Sequence, residues 1–87
     1  MAYSVQFTRN ADKDLERISP PDRSRIIRKV MALAHDPRPV GVKKLVGAED
    51  LYRIRVGNYR VIYEILDRIV TVTVVRVKHR SDVYKGL

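Results

Sequence analysis

The chain contains no cysteine. That excludes a disulfide scaffold and a thiolate zinc site, and nothing points to a secretory framework. Long apolar runs are missing too. The longest, Ile69–Val75, carries two threonines and is far too short to span a bilayer. The opening MAYSVQFTRN has neither the apolar segment nor the small-residue cleavage site of a signal peptide. These absences predict a soluble cytoplasmic protein with no membrane partner. Metal-ligand spacings such as HxxxH, carboxylate clusters and glycine-rich phosphate loops do not occur, so no metal and no cofactor is expected. The two histidines, His35 and His79, do not sit in a recognisable nucleophile system, and His35 reads most simply as a cation near a helix C-terminus.

Acids are scarce. Asp and Glu total 10 against 18 Lys and Arg, which leaves a net charge of +8 on 87 residues. A field of that sign favours a polyanion: RNA, DNA or an acidic protein. The length fits one domain over residues 1–87, and a hydrophobic content of 45% is ordinary for a folded chain.

Tyr3, Val5 and Phe7 alternate with Ser4 and Gln6, which predicts a half-buried strand. Asn10 is the expected N-cap of a first helix whose apolar stripe is Ala11, Leu15 and Ile18. Ser19-Pro20-Pro21 breaks it, and Pro21 suits the first turn of a second helix. That helix is expected to bury Ile26, Ile27, Val30, Met31, Leu33 and Ala34 and to end at Asp36-Pro37-Arg38-Pro39. Val40 to Asp50 reads as a loop. Leu51–Val56, Tyr59–Leu66 and Ile69–Val77 are β-branched and aromatic-rich strands. Gly57-Asn58 predicts a type II′ hairpin, and Asp67-Arg68 a second tight connection. The expected fold is α+β, in the order β-α-α-β-β-β: an N-terminal strand, a two-helix hairpin and a three-stranded antiparallel meander, with both helices on one face of a single sheet.

The hairpin sets the register. It pairs Val56 with Tyr59, Arg55 with Arg60, Ile54 with Val61 and Arg53 with Ile62. Period two then puts Ile54, Val56, Tyr59, Val61, Tyr63 and Ile65 on the core face, with Val70, Val72 and Val74 continuing it. Arg53, Arg55 and Arg60 share the other face, where Glu64 is the only acid within the two strands. Arg55 directly opposite Arg60 is destabilising by up to about 1 kcal/mol. An absent anion explains that convergence better than a face charged only to prevent aggregation. RNA carries its own nucleophile, the 2′-OH, so cleavage needs only in-line alignment, proton transfer and stabilisation of the crowded phosphorane. Arginines supply the electrostatic part. Lys78, His79 or Tyr84 could donate or accept a proton, and a tyrosine can stack on a base. These residues alone leave enzyme and binder both open.

The chain resembles the RelE branch of the RelE/ParE toxin superfamily. The likeness runs from Tyr3 to Tyr84 and is carried by AYSVQFTRNADKDLERI, VKKLVGAEDLYRIRVGNYRVIYEI and VVRVKHRSDVYKGL. The element Gly57, Tyr59, Arg60, Tyr63 is its most specific part. The resemblance implies the toxin of a type II toxin–antitoxin system: a metal-independent endoribonuclease that cuts messenger RNA in the ribosomal A site and inhibits translation. It implies a RelB-like antitoxin as partner, and contact with operator DNA only through the antitoxin complex. By position it implies catalytic roles for Arg60, Lys78, Tyr84, Arg53 and Arg55, and RNA contacts by His79 and Arg80. Lys43 and Lys44 are expected to add RNA contacts from the loop. The best-known branch has lysines at 53 and 55, one of them a proposed general base. Arginine is a poor proton acceptor, so that role passes to Tyr84, His79 or water. Two other readings remain: a ParE-like inhibitor of DNA gyrase on the same fold, and a basic module that only binds an acidic partner.

Overall fold

The computed structural model describes residues 2–47 and 50–81. Strand β1 spans Ser4–Phe7, helix α1 Arg9–Glu16 and helix α2 Pro20–Ala32. Strands β2 (Lys43–Lys44), β3 (Leu51–Val56), β4 (Tyr59–Leu66) and β5 (Thr71–His79) follow, with a 3-10 turn at Asp67–Ile69 before β5. They form one mixed sheet in the order β1-β5-β4-β3-β2. The hairpin strands are antiparallel as expected, and β1 adds to the far edge parallel to β5.

The core lies between the helices and one sheet face. Ala11, Leu15, Ile18, Ile26, Val30 and Leu33 meet Ile54, Val56, Val61, Tyr63, Ile65, Val72, Val74 and Val77 there, all buried. The Gly57-Asn58 hairpin holds the register expected of it, with Gly57 at φ 60° in the first turn position, where type II′ geometry needs a positive φ.

Several expectations are corrected. Thr8, not Asn10, caps α1: its hydroxyl accepts from the Ala11 amide at 3.1 Å and donates to the Val75 carbonyl at 2.9 Å, so one side chain serves helix and sheet. Of the residues expected to be buried by α2, Ile26 and Val30 on the helix and Leu33 at its C-cap are buried and Ala34 is half-buried, whereas Ile27 and Met31 are exposed. Each lies one residue past the i, i+4, i+7 stripe and so turns about 100° away from the core. That helix also ends earlier, at Ala32. The expected loop from Val40 to Asp50 contains β2, whose two lysines pair with Arg53 and Tyr52. A short charged strand of this kind protects a sheet edge.

The last strand runs Thr71–His79 rather than Ile69–Val77. Ile69 is exposed in the 3-10 turn, and Val70 leaves the turn at φ 52°, off the core face. That is an unfavourable region for a β-branched residue. Its backbone is tied on both sides: the amide donates to Asp67 O, and the carbonyl accepts from the Ser4 amide. The Asp67 carboxylate in turn receives the Tyr3 hydroxyl at 2.6 Å and the Arg38 guanidinium at 2.9 Å.

Candidate functional site

The open face of the sheet is arranged in register rows. Arg55, Arg60 and Lys78 are partners across β3, β4 and β5. The next row holds Lys43, Arg53, Ile62 and Arg76, and the one after it Leu51, Glu64 and Thr73. Partners in antiparallel strands lie about 4.5–5.5 Å apart at Cα, so the cations of a row are neighbours. Lys78 joins its row because β5 has a register shift opposite Ile62/Tyr63: Tyr63 pairs with Val74 and Ile62 with Arg76, which leaves Val75 as the extra residue. Without it, the alternation that buries Val72 and Val74 would carry Arg76 and Lys78 into the core.

The charges on this face are unevenly compensated. Arg76 is paired: its Nε lies 2.8 Å from Asp14, whose carboxylate also accepts the Val77 amide at 2.9 Å where β1 no longer covers the edge of β5. Arg53, Arg55, Arg60 and Lys78 have no ion pair among the described residues. Burial, and then repulsion from the Arg60 and Arg55 charges, lowers the pKa of Arg53. The guanidinium remains a cation at neutral pH. Ile62, only 5% exposed between Arg53 and Arg76, gives the cluster an apolar floor. Arg60 Nε is buried without a hydrogen-bond partner, an unmet donor that costs about 1–3 kcal/mol. An anion seated on this face would relieve the repulsion among the cations.

A cleft of about 300 Å³ opens at this end of the sheet, lined by Arg55, Gly57, Asn58, Tyr59, Arg60 and Arg80. Arg80 is held there by its amide, which donates to Asn58 O at 2.7 Å. His79 is the register partner of Tyr59, and the two rings meet edge to face with centroids 5.2 Å apart. Its Nδ1 accepts the Ser81 amide at 3.2 Å. A backbone amide only donates, so Nδ1 is the acceptor in this contact.

The expected residues therefore divide. Arg53, Arg55, Arg60 and Lys78 come together on one face, Lys43 joins the row of Arg53, and Arg80 lines the cleft. Lys44 falls in the opposite-face row of Tyr52 and Tyr63, and His79 in that of Tyr59. Tyr84 lies outside the described residues. Arg25, an exposed residue of α2, also stands beside the β3–β4 turn: its Nη1 lies 3.6 Å from where a Cβ on Gly57 would stand. Its helical position marks it only as solvent-facing; that α2 passes the β3–β4 turn is a tertiary fact.

A family model described as the ParE toxin of the type II toxin-antitoxin system, parDE, matches residues 5–84. The chain belongs to this toxin family. Its relatives carry RelE-type names. It is 33% identical over 86 residues to Toxin RelG of Mycobacterium tuberculosis, covering 98% of this chain and 99% of the relative. It is 32% identical over 88 residues to the mRNA interferase toxin RelE of Escherichia coli K12, covering 97% and 92%. The crystal structure of the archaeal RelE-RelB complex from Pyrococcus horikoshii OT3 aligns with a TM-score of 0.81 at 30% identity, over 92% of this chain and 97% of that one.

In this RelE-type toxin the cleft presents fixed cations and an aromatic wall. That combination can hold a phosphodiester and spread its charge over several guanidinium forks. Among the described residues there is no group of three or more His, Cys, Asp or Glu placed to hold a metal ion. No helix of the described residues is long and apolar enough to cross a membrane.

Proposed function

We propose that this toxin is a metal-independent endoribonuclease that cuts messenger RNA in the ribosomal A site of the cytoplasm and so arrests translation. The observation that carries the reading is the cluster of Arg53, Arg55, Arg60 and Lys78 on one sheet face, unpaired by any acid among the described residues. A relative named an mRNA interferase supports RNA as the polyanion.

The 2′-oxygen attacks the adjacent phosphorus, the bond from phosphorus to the 5′-oxygen breaks, and a 2′,3′-cyclic phosphate and a 5′-hydroxyl result. Arg60, flanked by Arg55 and Lys78, stabilises the charge that builds on the non-bridging oxygens. Arg53 adds field from the neighbouring row. Arginines do not accept protons at neutral pH, and His79 has its Nδ1 occupied by the Ser81 amide. The 2′ proton therefore passes to water or to Tyr84, and the leaving 5′-oxygen is reprotonated from the same sources or from Lys78. Arg80, Lys43, Lys44 and His79 serve as RNA contacts.

The partner is a RelB-like antitoxin, as in the RelE-RelB complexes of the relatives. An acidic, partly disordered chain folding over a +8 surface is electrostatically favoured. Operator DNA is reached only through that complex.

The test is purified toxin incubated with ribosomes programmed with a defined A-site codon, beside the same messenger free of ribosomes. Primer extension should map a cut in the A site in the first tube alone. The ParE description of the family favours gyrase inhibition as a second reading. Intact messenger together with blocked supercoiling would establish that reading instead.

A further inference from the structure

A second groove lies on the other side of Tyr59. It runs between the C-terminal end of α1 and the end of β5, measures about 210 Å³, and is lined by Asp14, Arg17, Tyr59, Arg76, Val77, Lys78 and His79. Tyr59 lines both this groove and the 300 Å³ cleft. Lys78, a wall of the groove, is also the register partner of Arg60. The two cavities are therefore adjacent stations around one end of the sheet.

The groove's charge balance suits an anion. Its one acid, Asp14, is already engaged by the Arg76 guanidinium and the Val77 amide. Arg17 and Lys78 take part in no ion pair among the described residues. Asp14 and Arg76 cancel, which leaves two uncompensated cations beside two aromatic rings, Tyr59 and His79. Aromatic faces accept any base, and a cationic rim tracks a backbone phosphate. A volume of about 210 Å³ is below the usual range of small-molecule pockets, so the groove takes a single base, with the phosphate on its cationic rim, rather than a larger ligand.

We propose that this groove is a second nucleotide subsite. It holds the residue of single-stranded RNA next to the one in the Arg55–Arg60 cleft, with its phosphate on Arg17 and Lys78 and its base against the Tyr59–His79 pair. The inference rests on the RNA-binding reading above and adds Arg17 to the residues that position substrate.

The probes are 2′-O-methyl oligoribonucleotides, which cannot be cut by 2′-OH attack: a dinucleotide without terminal phosphates, whose single phosphodiester occupies the Arg55–Arg60 cleft and leaves none for Arg17, and a pentanucleotide. Their binding to the purified chain is followed by fluorescence anisotropy across a salt series. The wild type is expected to bind the pentanucleotide more tightly than the dinucleotide. Arg17→Ala is expected to remove most of that difference, to lower the slope of log affinity against log salt by about 0.7, the share of one single-strand phosphate contact, and to leave dinucleotide binding unchanged. Arg28→Ala removes the same charge from the exposed side of α2 and is expected to bind both probes as the wild type does.

If Arg17→Ala binds the pentanucleotide as the wild type does, the subsite is wrong while the RNA reading stands. Equal loss for both probes, matched by Arg28→Ala, would reduce Arg17 to part of the general field and also overturn the subsite. If the wild type binds neither probe at low salt, the RNA reading falls and the inference with it. Circular dichroism of each variant checks that the fold is intact.

Discussion

Arg60 and Lys78 face one another across β4 and β5 because β5 contains one residue more than its partner between Val74 and Arg76. That residue, Val75, reverses the alternation of the strand. Val72 and Val74 point into the core before it and Val77 after it, and Arg76 and Lys78 are turned to the open face. The bulge therefore assembles the cationic row and lets a strand with the local pattern Val-Val-Arg-Val-Lys keep its valines buried on both sides.

Deleting Val75 should consequently leave the faces of β5 as they are. A regular ladder keeps Val74 opposite Tyr63 and Arg76 opposite Ile62, so Val77 stays in the core and Lys78 stays opposite Arg60. The deletion removes the carbonyl that accepts the Thr8 hydroxyl, a bond worth about 0.5–1.5 kcal/mol, and with it the link from the α1 cap to the sheet. The deletion variant is expected to fold and to melt several degrees lower. Val75→Ala keeps that carbonyl and should lose less. Thermal melts of the two variants separate the role of the bulge from that of the side chain, and an unfolded deletion variant would refute this register.

Arg60→Ala tests the catalytic reading without such damage. Loss of one preorganised charge stabiliser costs about 10²–10³-fold in rate. Stability should hold or rise slightly, since the change removes a buried unmet donor and a like-charge neighbour of Arg55. A ribosome cleavage assay beside a melting curve reads both, and full activity in the folded variant would refute the assignment.

Much of this site was legible in the sequence because a two-residue hairpin fixes register. Gly57-Asn58 alone gave the Arg55–Arg60 pair and the row of Arg53 with Ile62. Lys78 was not placed by that logic, since period two breaks at a bulge that no local signal announces. The exposure of Ile27 and Met31 was missed for a related reason: helical periodicity names an apolar side of α2 but not its width, which the sheet beneath decides. The N-cap was misassigned because Thr8 and Asn10 both have capping side chains. What favoured Thr8 was its second bond, to Val75 in the distant strand β5. Arg25 and Arg17 became visible only once the helices were seen against the ends of the strands.

Acid sensitivity should trace partly to Asp14. Burial alone would raise its carboxyl, but the hydrogen bonds from Arg76 and the Val77 amide, with the nearby positive charges, outweigh burial and hold it below the usual carboxylate range. A depressed folded value contributes stability that is complete above the unfolded value, about 3.9, and is lost as pH falls through the folded one. The melting temperature should therefore drop below about pH 4. Asp14→Asn should flatten that limb and cost about 1–3 kcal/mol at neutral pH, because the edge amide of Val77 loses its anionic acceptor. Some slope will persist, since Asp67 is lowered in the same direction by its bonds from Arg38 and Tyr3.

Gly57 and Arg25 separate backbone geometry from charge at the cleft. A Cβ on Gly57 would sit in ordinary contact with Arg25, 3.6 Å from Nη1, so space does not forbid a side chain there. The φ of 60° does penalise it, and Gly57→Ala should lower stability by about 1–2 kcal/mol. Arg25→Ala should leave the melting temperature nearly unchanged, because the residue is exposed and alanine is at least as good a helix former. If Arg25 reaches RNA in the cleft, its loss should weaken binding of a short oligonucleotide and lower the single-strand salt slope by about 0.7. The two variants thus predict opposite signatures: Gly57→Ala reduces stability with an unchanged salt slope, and Arg25→Ala reduces the slope with unchanged stability. Should Arg25→Ala leave both untouched, α2 contributes no cation to the cleft, and the substrate surface ends at the Gly57-Asn58 turn.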